Sequence, residues 1–256
     1  MRLTVALFYI SLCLLPAHAQ YCSVKKGRAA YYVTTDLKTQ KTLRDTSFIV
    51  DVIDKEDRLI IKEESFGDQY DALSIKEGTN KLFYIYYKSQ DMTEVVFLDS
   101  ESDNELLKEK IYSKYPANQQ KEAEQEYQKL SKNLRSEGRI SIILKDDVQS
   151  GQDLPPCSYF QKSGPISLKA SQKGKYRGRE TIHTPAGDFD CIKIYTEKKG
   201  KVMIVSKTEY SMDWYAKDVG LVKSEIMDKK GELLSTTLLD AIEESPLARM
   251  REVIKE

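Results

Sequence analysis

Tyr176-Arg177-Gly178-Arg179-Glu180-Thr181-Ile182-His183-Thr184-Pro185-Ala186-Gly187-Asp188-Phe189-Asp190-Cys191-Ile192-Lys193-Ile194-Tyr195-Thr196 consists of two extended runs around one turn. In 176–183 and 189–196, β-branched and aromatic residues recur among polar ones, the pattern of a strand. Between the runs, Pro185 sets φ for a turn and Gly187 tolerates a positive φ before the next strand begins. The unit reads as an antiparallel hairpin. Working outward, similar runs occur at 29–35, 42–53, 58–64, 81–88, 93–98, 139–145 and 166–172, and then at 202–215, 221–227 and 232–240. Asp54-Lys55-Glu56-Asp57 and Asp228-Lys229-Lys230-Gly231 supply further tight connections. Neighbours in sequence should pair in space, which makes the fold mainly β, an antiparallel meander.

Two of these runs carry large side chains on both faces. Leu82, Tyr84 and Tyr86 alternate with Phe83, Ile85 and Tyr87, and Phe48, Val50 and Val52 alternate with Ile49 and Ile53. A sheet with one wet face has no use for that pattern. The expectation is a curved sheet or half-barrel covered on both sides, with two packed sheets as the other solution. A segment at about 103–135 interrupts the strands. There Ala123, Tyr127, Leu130 and Leu134 recur at helical spacing and should pack on the sheet. Pro116 should divide this helix from an upstream piece carrying Leu106, Leu107 and Ile111, because proline inside a helix costs about 3 kcal/mol. Ser102, Asp103 and Asn104 offer N-cap oxygens, and Gly138 offers a stop. The competing reading of this segment is a partner-recruiting arm.

The chain begins Met1-Arg2, continues with an apolar run over 3–15, and then reads Pro16-Ala17-His18-Ala19. This is the pattern of a signal peptide over 1–19, with cleavage before Gln20. A membrane-spanning helix needs about 20 apolar residues, more than this run supplies. Lipid anchoring would need a cysteine directly after a small residue, whereas Cys22 follows Tyr21 and Cys13 lies inside the apolar run. The expected mature protein is therefore exported, soluble in the periplasm or outside the cell, and without a transmembrane segment. It would comprise one β-rich domain over 20–241 and a tail over 242–256 capable of a short helix.

Forty Lys and Arg balance forty Asp and Glu, so nothing favours nucleic acid as a partner. Of the two histidines, His18 falls in the leader and His183 stands alone, which excludes a multi-histidine metal site. Without Cys13, three cysteines remain (Cys22, Cys157 and Cys191), an odd number where disulfides persist. A nucleophilic cysteine would need an activating base, and His183 sits directly before a turn. Glu63-Glu64 and Asp146-Asp147 are adjacent pairs whose side chains would point to opposite faces of a strand. No phosphate loop, paired Cys-x-x-Cys or acidic calcium loop is present. No catalytic residue, cofactor or metal is therefore expected.

The stretch from Gly178 to Ile194 quoted above resembles the TapB-like family of exported bacterial proteins of unknown function. So do Trp214-Tyr215-Ala216-Lys217-Asp218-Val219-Gly220-Leu221-Val222-Lys223-Ser224-Glu225 and Asp228-Lys229-Lys230-Gly231-Glu232-Leu233. The likeness spans roughly 139–241, and a looser one covers 22–98, where Cys22 and Lys25-Lys26-Gly27 resemble the family's start. It implies a β-rich half-barrel and brings no activity or cofactor. Because Cys22 would begin the mature chain and Cys191 lies mid-strand in this best-matching part, a Cys22–Cys191 disulfide is expected, with Cys157 left as a buried thiol.

Two non-enzymatic readings follow. In the first, an apolar or lipid-like small molecule binds between the concave face and the helical cover. Tyr84 and Tyr86 would offer rings and hydroxyls, and Trp214 an aromatic platform, although Trp214 also suits plain core packing. In the second, the protein is a structural or interaction module that meets an envelope protein through a sheet edge or the helical arm.

Overall fold

The computed structural model describes residues 20–67 and 80–244. The expected leader at 1–19 lies outside the described residues, as does the tail expected over 242–256 from residue 245 onward, whereas Ile242 and Glu243 belong to the last strand. Twelve strands occur among the described residues: β1 Ala29–Asp36, β2 Thr42–Asp54, β3 Arg58–Gly67, β4 Asn80–Tyr87, β5 Met92–Asp99, β6 Leu134–Leu144, β7 Cys157–Ser163, β8 Ile166–Thr184, β9 Gly187–Val202, β10 Val205–Ala216, β11 Gly220–Met227 and β12 Leu233–Glu243. Each pairs antiparallel with its neighbours in sequence, as the meander requires.

The first strand closes the circle. On one side Tyr32 of β1 stands opposite Asp45 of β2, and on the other opposite Leu239 of β12, so the sheet is a closed barrel. The half-barrel expectation was too coarse, because pairing of the two end strands cannot be read from either strand alone. Closure also removes the free edge that an edge-docking module would use.

Boundaries differ where turn chemistry is weak. The runs expected at 166–172 and 176–183 are one strand, β8, in which the register slips between Tyr176 and Arg179 around Gly178 at φ +90°. The run expected at 202–215 is instead split, because Met203-Ile204 forms a turn between β9 and β10. Strand β7 follows Pro155-Pro156 in a polar stretch that carries no alternation.

The helical insertion begins and ends a few residues earlier than expected. Helix α1 spans Ser100–Tyr112 and α2 spans Gln120–Ser131, with Pro116 immediately before the 3-10 turn Ala117–Gln119 that separates them. Asp99 Oδ1 accepts from the Glu101 amide at 3.2 Å, and Asp103, one of the expected caps, instead accepts from the Tyr159 hydroxyl at 2.6 Å. The expected four-residue face does not hold together. Ala123 is fully buried, but Leu130 is 38% exposed and Leu134 belongs to β6. The chain leaves the helix at Ser131, one turn too early for Leu134 to share its face. Gly138 is a strand residue at φ +83°, and a Cβ there would lie 2.1 Å from the Ser158 carbonyl oxygen, so only glycine fits.

Two apolar clusters cover the wall on opposite faces. Tyr21, Ile61, Val95, Ile142, Ile192, Ile194 and Tyr215 belong to the first. Ile182, Cys191, Trp214, Val222 and Leu239 belong to the second. Adjacent residues divide between them, Cys191 from Ile192 and Trp214 from Tyr215, as strand geometry dictates. Each fully buried isoleucine contributes about 1.5–3 kcal/mol. The N-terminal segment enters the first cluster: Tyr21 and Cys22 are buried, and the Tyr21 hydroxyl donates to Asp146 at 2.6 Å while Arg179 Nη2 reaches both. Lys217 completes this knot on Asp146.

This sidedness corrects the disulfide. Cys22, Cys157 and Cys191 are free thiols, with Cys22 in the first cluster and Cys191 in the second, on the other face of the wall. Burial raises the Cys191 thiol to about 12 and the Cys22 thiol further, so both stay protonated and unreactive.

Candidate functional site: a cavity in the barrel lumen

The first cluster does not fill the barrel. A cavity of about 390 Å³ lies between β1–β5 and β10–β12, on the lumen side of both arcs. No residue of α1 or α2 lines it, so the pocket expected between sheet and helical cover lies in the barrel itself. Leu82, Phe97, Leu221 and Ile226 give it apolar wall.

Glu63 is its chemical centre. Strand β3 presents Ile61, Glu63 and Ser65 on one face, and Ile61 is completely buried in the lumen core. The period of two therefore carries Glu63 inward, where it lies beneath the outer surface with part of its side chain facing the cavity. Burial raises its carboxyl from 4.5 to about 7, against the opposing pull of the Ser47 hydroxyl and the Arg28 guanidinium. Arg28 Nη1 donates to the Asp218 carbonyl at 2.7 Å, and the arginine does not line the cavity. Asp45 does, and no Lys, Arg or His does among the described residues.

Three tyrosines surround the carboxyl. The Tyr32 hydroxyl donates to the Leu221 carbonyl at 3.0 Å. Tyr84 passes close over Gly220, where a Cβ would sit 3.4 Å from its hydroxyl. The hydroxyls of Tyr84 and Tyr215 have no hydrogen-bond partner among the described residues. Burial raises both phenols well above 10.0, so they remain neutral donors.

Of the three side chains expected to bind a ligand, Tyr84 alone lines this space. Tyr86 is buried, and its hydroxyl donates to Asp91 at 2.9 Å. Trp214 lies across the wall: its Nε1 donates to Glu180 at 3.0 Å, and Lys193 and Lys223 stand 4.9 and 4.5 Å from its ring centre. These contacts make it a packed member of the second cluster. Glu63, Tyr32 and Tyr215 were not anticipated. The signal for Glu63 was an acid in phase with Ile61 in an apolar strand.

The fold and site define a closed antiparallel barrel whose luminal cavity is lined by two carboxyls, Glu63 and Asp45. Residues 161–239 match the family described as DUF3108-like. No curated protein matches the chain. A crystal structure of a protein provisionally named a lipoprotein, from Parabacteroides distasonis, is similar in fold, with a TM-score of 0.59 and 16% identity over 88% of this chain and 98% of that one. A provisionally named exported protein with a YmcC-like fold, from Bacteroides fragilis, has a TM-score of 0.57 and 14% identity over 87% of this chain and 98% of that one.

Proposed function

We propose that this is a non-catalytic exported binding protein that holds one small lipid-like molecule in its barrel lumen. The leader pattern at 1–19 and the names of the two fold relatives support export. The ligand reading is carried by one observation: the half-buried carboxyl of Glu63 and two unpartnered phenol hydroxyls face an open space walled by Leu82, Phe97, Leu221 and Ile226. Small-molecule pockets occupy about 300–1,000 Å³, and this cavity falls in that range. A carboxylate head would meet Glu63 and Asp45 and be repelled. A cationic head gains the Glu63 charge and the tyrosine ring faces, so the ligand is an amphiphile with an ammonium-type head and an apolar body. Native mass spectrometry of protein purified from its own envelope tests this. The expected spectrum holds one copurifying amine-bearing amphiphile; a copurifying fatty acid would contradict the head-group assignment.

A further inference from the structure

We propose that the tip of the β9–β10 hairpin is a membrane-docking element that inserts its apolar side chains into an anionic bilayer surface. The inference is independent of the lumen. Ile204 is 91% exposed and Val205 70%, while Val202, Met203 and Ile166 are about half exposed. They are contiguous: Val202 pairs with Leu168, and the Met203 amide donates to the Ser167 carbonyl at 2.9 Å, which brings Ile166 beside the turn.

Turn chemistry does not explain these residues. A two-residue hairpin turn favours Asn-Gly or similar pairs that accept positive φ, whereas Met203 sits at φ +52° and is followed by β-branched Ile204. Neither contributes burial in the isolated protein.

A basic collar surrounds the tip. Lys201 of β9 stands directly opposite Lys169 of β8, a like-charge cross-strand pair that is unfavourable in solution and relieved at an anionic surface. Neither has a carboxylate partner among the described residues; Lys169 lies over the Phe160 ring. Further from the tip, Glu197 neutralises Lys173 and Lys199, and Glu209 pairs with Lys207. Apolar side chains at an exposed hairpin tip with cations behind them match the depth profile of a lipid interface, in which apolar groups reach about 5–10 Å in and lysines remain at the headgroups. A protein partner would need a face of about 800 Å², broader than a two-residue turn and its flanks.

Flotation of the mature protein with phosphatidylglycerol–phosphatidylcholine vesicles, against phosphatidylcholine alone, tests the proposal. The protein should float with the anionic vesicles only, and salt should release it. Combining Met203→Ser, Ile204→Ser and Val205→Ser should cut the bound fraction at least about tenfold with the melting temperature unchanged. Lys169→Gln with Lys201→Gln should weaken binding about 25-fold, about fivefold for each charge. Should the triple variant melt early, Ile204→Ser alone must still weaken binding. No flotation with anionic vesicles, or equal flotation of the serine variants, overturns the proposal.

Discussion

Glu63 and Ile204 occupy each other's expected places. One is a carboxyl on the lumen face of β3 between apolar neighbours, and the other is an isoleucine almost wholly in water at the end of a hairpin. In the filled part of the lumen the pattern holds, with Ile61, Ile192 and Ile194 turned inward. Both exceptions work against folding. The buried acid carries a desolvation penalty, and the exposed isoleucine forgoes the burial that would reward it. Local rules broken without a folding benefit point to binding, inside the barrel for one region and at its tip for the other.

Substitution of isoleucines separates the regions most sharply. Ile192→Ala, in the filled part of the lumen, should cost about 2–5 kcal/mol by urea denaturation. Ile204→Ala should change stability by less than about 0.5 kcal/mol. Equal costs would mean that the tip is packed in solution.

The pH profile of stability addresses the buried acid. Its folded pKa is raised above the unfolded value, so its stabilising contribution is complete below pH 4.5 and is lost as pH rises through about 7. The loss is on the order of 3 kcal/mol in wild type. Glu63→Gln should flatten that part of the profile, and an unchanged slope would place the titration elsewhere.

The helical cover gives the smallest effect. Leu130→Asp should alter stability by less than about 0.5 kcal/mol because Leu130 faces water, whereas Ala123→Asp should destabilise by several. A large loss in Leu130→Asp would restore the four-residue packing face.

What could be read from sequence follows what the chain encodes locally. The hairpin over 176–196 was legible because Pro185 and Gly187 mark its turn and both arms alternate. The turn at Met203-Ile204 was not, since it contains no turn-forming residue, and for the same reason it stands out as functional. Tyr84 was found through its alternation in β4. Glu63 was not legible because an adjacent Glu63-Glu64 pair says only that the two side chains take opposite faces, and closure of the barrel decides which face is internal. The Cys22–Cys191 bridge failed on sidedness, which depends on how the N-terminal segment threads the lumen.

Calorimetric titration with dodecyltrimethylammonium, a permanent cation kept below its micellisation concentration, tests the luminal carboxyl most directly. Because Glu63 gains its charge on passing through about pH 7, wild type should bind one equivalent, about tenfold more tightly at pH 8 than at pH 6. Glu63→Gln should bind weakly and equally at both. Binding that is independent of pH, or undiminished in Glu63→Gln with the fold intact, would contradict a ligand site built on that carboxyl.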